Sequence, residues 1–196
     1  MNDCNVMITG VGGQGVIVLG KILAYAASLA GYGITGHEQK GEAQRGGMVV
    51  SLLRLSSDRQ RTCSTRLLSG QLDIMLSMEF LETVRNMYLY KRDTFIFSGN
   101  AVEVPAYFRV DRLNKIGMET YADEMKSQLA KMYPNYMLKD YVGRSVVSTG
   151  NPMNQNLFML SDVVKSGALP INQSLVLKSV REIIGLEAVN IILNYG

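Results

Sequence analysis

Apolar residues recur along this chain at two different periods, and the periods assign the elements. Residues 4–9, Cys-Asn-Val-Met-Ile-Thr, form a short apolar run that predicts a strand. Glycines 10, 12, 13 and 15 follow at once. Val16, Leu19, Leu23, Ala26, Ala27 and Ala30 then repeat at helical spacing, and Gly31 and Gly33 are stop signals for that helix. Residues 34–38 predict a second strand, residues 39–47 a polar loop, and residues 48–55, with Val49, Val50, Leu52 and Leu53, a third strand. A buried strand is expected over 73–78. A helix over 79–90 puts Phe80, Val84, Met87 and Tyr88 on one face.

Residues 93–97 read as a further strand, and residues 101–110 as an extended segment broken by Pro105. An amphipathic helix is expected over 118–132, stopped by Pro134, with a turn at Gly150-Asn151-Pro152. Helices over 154–164 and 174–184 are separated by Gly167-Ala168-Leu169-Pro170, and a last helix covers about 187–193. No internal repeat or low-complexity tract interrupts the pattern. Strands alternate with helices early, and helices dominate the last third. That order predicts a three-layer α/β architecture: a mostly parallel, Rossmann-like sheet flanked by helices, with a helical C-terminal third, residues 1–196 forming one domain.

Composition narrows the function classes. Hydrophobic residues make up 47% of the 196 and charged residues 19%, a balance that excludes a disordered chain. A chain of this length buries roughly 70% of its unfolded surface and needs no covalent staple. The two cysteines, Cys4 and Cys63, are too few for a disulfide framework, and too few for an iron–sulfur cluster, which takes about four thiolates. Free thiols fit the reducing cytoplasm, the expected location. The net charge of +3 is spread without a basic block, so nucleic acid is not an expected partner. The opening residues lack the basic stretch of a signal peptide, and the apolar stretch 16–32 is interrupted by Gly20, Lys21 and Ser28, so no membrane span is expected.

Candidate chemistry begins at Gly10-Val11-Gly12-Gly13-Gln14-Gly15, which satisfies G-x-G-x-x-G after a strand and before a helix. Glycine permits positive φ and leaves no Cβ in the path of a diphosphate, while the helix start offers unpaired N–H groups and the positive end of its dipole. With NAD, an acid about 20 residues on would bind the ribose, and Glu38 stands near that place. Without a ligand, the same loop is a tight strand-to-helix turn. A second segment, residues 37–47, packs three glycines, two carboxylates and Arg45 together, and should reach the same sheet edge as the first loop. Arg45 there can grip a phosphate or carboxylate bidentately. His37, the one histidine, reads as a structural loop residue, and no nucleophile, general base or metal site is expected in the chain.

The two segments together resemble a known family. Gly-Val-Gly-Gly-Gln-Gly, followed by Glu-x-x-Gly-x-Ala-Gln-Arg-Gly-Gly at 38–47, is similar to the gamma subunit and domain family of 2-oxoacid:ferredoxin oxidoreductases, the pyruvate and ketoisovalerate type. The closer likeness is to the indolepyruvate branch and its beta subunit. Residues 73–85, with Glu82 and Arg85, resemble the family's next segment; residues 154–160, Leu169-Pro170 and residues 187–196 resemble its closing helices. Many relatives carry an asparagine at the end of the strand near residue 97, where this chain reads Phe95-Ile96-Phe97-Ser98.

The resemblance implies a subunit of a complex that oxidatively decarboxylates a 2-oxoacid, such as indolepyruvate or another aryl or branched one, to its acyl-CoA. Coenzyme A is the cofactor it implies at this chain, against Gly10, Gly12, Gly13, Gln14, Gly15, Arg45, Gly46 and Gly47. Thiamine diphosphate, magnesium and iron–sulfur clusters are implied on partner subunits only, with ferredoxin reached through them. A homodimer of the isolated chain is compatible with this reading. The competing readings are a self-standing NAD-binding protein and a ligand-free assembly scaffold.

Overall fold

The computed structural model describes residues 2–41, 47–103 and 112–195, with the backbone alone for 112–116 and 195. The chain runs β1 (Cys4–Val11), α1 (Val16–Leu29), β2 (Gly33–Lys40), β3 (Met48–Ser56), β4 (Leu72–Ser77) and α2 (Phe80–Arg85). After a 3-10 turn at Met87–Leu89 come β5 (Tyr90–Gly99), α3 (Arg112–Met132), β6 (Tyr136–Lys139) and α4 (Tyr141–Thr149). A 3-10 turn at Pro152–Asn154 leads into α5 (Gln155–Ser166), α6 (Gln173–Ile183) and α7 (Leu186–Tyr195).

The six-stranded sheet has the order β2-β3-β1-β4-β5-β6. β1, β4, β5 and β6 pair in parallel, and β3 lies antiparallel to both β1 and β2. Every strand but β3 therefore runs the same way, as a mostly parallel sheet requires. The short connection from Lys40 to Met48 forces the exception, because a parallel return needs a crossover of a dozen or more residues. Gly41 N–H donates to the Met48 carbonyl at 2.7 Å and closes the base of that hairpin.

Alternation along the strands sends side chains to two cores. Val6 and Ile8 of β1, Leu53 and Leu55 of β3, and Ile74 and Leu76 of β4 join α1, α5, α6 and α7 on one face. Met7, Val50, Leu52, Met75 and Ile96 point to the other. There α2 and α3 pack over the β5–β6 end through Phe80, Ala122 and Leu129, with Tyr136 and Leu138 against them. Buried serines tie the helical layer together: Ser179 Oγ donates to the Ile22 carbonyl and Ser161 Oγ to the Ile192 carbonyl, both at 2.7 Å.

Several elements depart from the sequence expectation. The helix expected over 79–90 stops at Arg85, because Asn86 Nδ2 turns back to the Glu82 carbonyl at 2.8 Å and the chain tightens to 3-10. β5 runs from Tyr90 to Gly99, longer than the apolar run at both ends, so Asn100 is the first residue after the strand. β6 and α4 occupy a stretch whose pattern was too short and too polar to assign. The extended segment expected around Pro105 lies largely outside the described residues.

Two glycines should respond oppositely to a methyl group. At Gly99 a Cβ would stand 2.5 Å from the Met78 carbonyl oxygen, a backbone atom that cannot swing away. Gly99→Ala should cost about 1–3 kcal/mol by overpacking. At Gly117, inside α3, a Cβ would meet nothing within 4 Å. Gly117→Ala should gain up to about 1 kcal/mol from helix propensity. Urea denaturation of the two variants checks both signs.

Candidate functional site

The strand order reverses direction at β1: α1 leads away toward β2 and β3, while β4 lies on the other side. Ligands of open α/β sheets bind at such a switch point, outside the carboxyl ends of the strands. The glycine loop stands there. Gly13 has φ 98° and Gly15 φ 80°, the left-handed region where a side chain is strained. Gly10 is needed for space, since a Cβ would approach Met78 Cβ at 3.0 Å and Val16 Cγ2 at 3.2 Å. Gly12 N–H donates to the Gly47 carbonyl at 3.0 Å, which brings the end of the second glycine segment onto the first. Gly12 and Gly13 are exposed, and a Cβ at Gly13 would meet nothing within 4 Å.

Gln14 does a different job from its neighbours. It is buried, and its Oε1 accepts the Val11 N–H at 2.9 Å, so its side chain closes the loop from within. Gly15 is the N-cap of α1, and a Cβ there would collide with the Asn156 amide at the start of α5. The first turn of α1 holds no acidic residue. Beside the loop lies a cavity of about 420 Å³, floored by Val16, Ile17, Val49 and Met153, with Lys40 its charged residue among the described ones. Lys40, Met153 and Asn156 carry no motif in the sequence. They meet the loop only because β2 ends, and α5 begins, at the same sheet edge. Arg45 and Gly46 lie outside the described residues, although Gly41 and Gly47 on either side of that segment are held at the loop.

The topology separates Glu38 from this site. Glu38 pairs with Ser51 of β3, and Ser51 pairs with Ile8 of β1. Two strand spacings, about 10 Å, stand between Glu38 and β1. In a dinucleotide fold the ribose-binding acid ends the strand next to the first one, and here β3 takes that place. His37 is exposed on the same outer strand. Cys4 is buried at the opposite end of β1, where burial pushes its thiol up to about 12 and leaves it inert.

The chain matches, over residues 5–193, the family model described as pyruvate ferredoxin/flavodoxin oxidoreductase. The chain belongs to this family. A relative named indolepyruvate oxidoreductase subunit IorB, from Thermococcus kodakarensis, is 26% identical over 183 residues, covering 92% of this chain and 86% of the relative. Among solved structures, the gamma subunit of a keto/oxoacid ferredoxin oxidoreductase from Geobacter sulfurreducens superposes with TM-score 0.60 at 18% identity, covering 96% of this chain and 91% of that one. The 2-oxoglutarate:ferredoxin oxidoreductase of Magnetococcus marinus, solved with 2-oxoglutarate, coenzyme A and succinyl-CoA bound, gives TM-score 0.66 at 15% identity. This chain is covered completely there but spans only 30% of that longer chain. These likenesses are of fold, and the family's α/β architecture with its helical C-terminal part is the one seen here. Among the described residues no group of three metal-ligating side chains occurs, and no helix is long and apolar enough to cross a membrane.

Past β4, the family domain buries two carboxylates. Glu79 accepts the Glu82 N–H and the Glu103 N–H, each at 2.9 Å, and caps α2. Burial raises its pKa despite those backbone donors, which pull the other way. Glu82 is raised too, by burial, with the Arg85 guanidinium opposing. A folded-state pKa above the unfolded one means that the folded chain holds its proton more tightly. Stability from such a group is complete below the unfolded value and is lost as pH rises through the folded one. Glu79→Gln removes that titration. The stability of the wild type minus that of the variant should therefore rise as pH falls from neutral toward 4.5. Urea midpoints at several pH values measure it, and a pH-independent difference would mean that Glu79 ionises normally.

Proposed function

We propose that this chain, as a single domain, is the gamma-type subunit of a 2-oxoacid:ferredoxin oxidoreductase complex, and that its glycine loop holds the diphosphate of coenzyme A. The observation carrying the proposal is the loop itself: exposed Gly12 and Gly13 at the switch point, an acid-free helix start behind them, and Lys40 beside them. A diphosphate needs backbone N–H groups, positive potential and no Cβ in its path; in this reading the start of α1, Lys40 and the bare Gly12 and Gly13 supply them. The apolar floor of Val16, Ile17, Val49 and Met153 suits the uncharged part of such a ligand. Gly10, Gln14 and Gly15 act by holding the loop's shape. Arg45, Gly46 and Gly47 are read as its second wall, with Arg45 gripping a phosphate or a carboxylate across the subunit contact.

The reaction is the oxidative decarboxylation of a 2-oxoacid, with indolepyruvate or another aryl 2-oxoacid as the substrate class. The substrate loses carbon dioxide and a pair of electrons, and the coenzyme A thiol takes the acyl group. Thiamine diphosphate with magnesium supplies the carbanion chemistry, and iron–sulfur clusters carry the electrons to ferredoxin. The clusters belong to partner subunits in this reading, because two cysteines, one of them buried, cannot hold one, and the resemblance puts thiamine diphosphate there as well. This chain binds and orients. In this reading it contributes no nucleophile, and the complex works in the cytoplasm.

The isolated chain, given thiamine diphosphate, magnesium, coenzyme A and a 2-oxoacid, should reduce no viologen dye, and the chain co-purified with its partners should. In that complex Gly13→Val places a side chain in the open space above the loop. It should raise the KM for coenzyme A about tenfold or more, the worth of a charge-assisted contact. Lys40→Ala should raise it less, as loss of a single point charge. Arg45→Ala should either weaken coenzyme A or weaken assembly on size-exclusion chromatography. Unchanged constants in Gly13→Val, with assembly intact, would reduce the loop to a structural turn.

A further inference from the structure

On the sheet face opposite α1, one charged pair is built in an unusual way. Glu82 is almost wholly buried, its side chain 4% exposed, yet it is ion-paired to Arg85, whose side chain is 54% exposed. The pairing is not casual. Thr9 Oγ1, in the buried C-terminal half of β1, donates to Glu82 Oε2 at 3.4 Å, while Oε1 receives Arg85 Nη1. The Met78 N–H donates to the Thr9 carbonyl at 2.9 Å, which fixes Thr9 in turn. Burying a carboxylate is unfavourable, and replacing a buried ion pair by well-packed apolar side chains is often neutral or stabilising. What the carboxylate adds is orientation: it locks one end of a guanidinium that otherwise sweeps through solvent.

The locked end lies close to the glycine loop. Arg85 Nη1 is 3.8 Å from Met48 Sδ. Met48 is the ladder partner of Val11, and its neighbour Gly47 accepts the Gly12 N–H. Lys40 stands by the loop on the α1 face, and Arg85 stands by it on the α2 face. A guanidinium has five N–H donors in a planar fork, so a pairing through Nη1 leaves capacity for a second, bidentate grip.

We propose that Arg85, aimed by the buried Glu82, is an anion-binding residue that grips an oxyanion, phosphate or carboxylate, of the small molecule seated over the β1–β4 switch point. Glu82 is its positioning residue. This rests on the reading that the glycine loop is a ligand site. The chemistry of the anion is shared by a coenzyme A phosphate and by the carboxylate of the 2-oxoacid, and the test separates them.

The complex is assembled with wild-type chain, with Arg85→Lys, with Glu82→Gln, with Glu82→Gln/Arg85→Gln and with Gly13→Val. The double variant leaves no unpaired buried charge, whereas Arg85→Gln alone strands Glu82 without its ion-pair partner. Size-exclusion chromatography reports assembly. Titration with coenzyme A, with 3′-dephospho-coenzyme A and with indolepyruvate reports each anion. The double variant should weaken at least one of the three about tenfold or more. Weakening of coenzyme A alone assigns the 3′-phosphate. Weakening of both coenzymes assigns the diphosphate, and weakening of indolepyruvate assigns the carboxylate. Arg85→Lys should recover part of the loss, and Glu82→Gln should lose a smaller share, a graded response that a merely structural pair would not give. If the double variant assembles and binds all three like the wild type, or loses assembly while the assembled fraction binds normally, the proposal is wrong. If Gly13→Val abolishes coenzyme A binding while the double variant binds all three normally, the loop reading stands and the Arg85 proposal falls. If the double variant loses an anion while Gly13→Val binds normally, Arg85 holds an anion away from the loop, and both the loop reading and the placement over the switch point fall.

Discussion

Everything at the candidate site depends on β1 being held along both edges and covered on both faces. β3 pairs with it antiparallel over Cys4 to Val11, and β4 pairs with it in parallel over Val6 to Thr9. Val6 and Ile8 fill the helical core, and Met7 and Thr9 fill the other side, all of them buried. A strand fixed in this way delivers its C-terminal end to one place. The backbone that leaves it at Gly10 then has little choice of path, with Met78 on one side and Val16 on the other. Left-handed glycines and an inward glutamine complete a turn whose position the sheet has already set.

That fixed end organises charge as well as shape. Among the described residues, those lining the cavity at the loop are glycine, apolar or Lys40, and two buried acids past β4 are paired: Glu79 with two backbone donors, Glu82 with Arg85 and Thr9. Farther along the same edge, Asp162 is held by Lys139 at 2.8 Å and Arg144 at 3.3 Å. The helix dipole of α1 therefore faces outward unopposed by its own first turn. A negatively charged ligand is the chemistry this arrangement suits.

Much of the fold was legible in the sequence, for a definite reason. β1, α1, β3 and β4 are buried enough that period alone assigns them, and Gly31, Gly150 and Gly167 mark turns by their positive φ. The strand direction of β3 was not written in hydrophobicity, which is blind to polarity, although the short span between Lys40 and Met48 implied it. β6 escaped because four half-buried residues at a sheet edge carry almost no alternation. α2 was drawn too long because Phe80, Val84 and Met87 keep helical spacing across the point where Asn86 ends it. At the site, the glycines carried their own signature. Lys40 did not, and Asn156 and Arg85 stood in segments resembling the family with no chemistry of their own, because each is an ordinary residue until the sheet brings it to the loop.

Gly15 and Asn156 also couple the loop to a distant part of the chain. The first glycine-rich turn is synthesised well before α5, yet its last glycine rests against a side chain from that helix. α1, behind it, is roofed by α6, with Ser179 bonded back to Ile22. Until those helices have been synthesised, the apolar side of α1 has no cover and the loop has no backstop. A chain ending before α5 thus presents an unfinished cradle and a bare hydrophobic side of α1, so the loop near one end of the fold takes its shape only with the helices at the other.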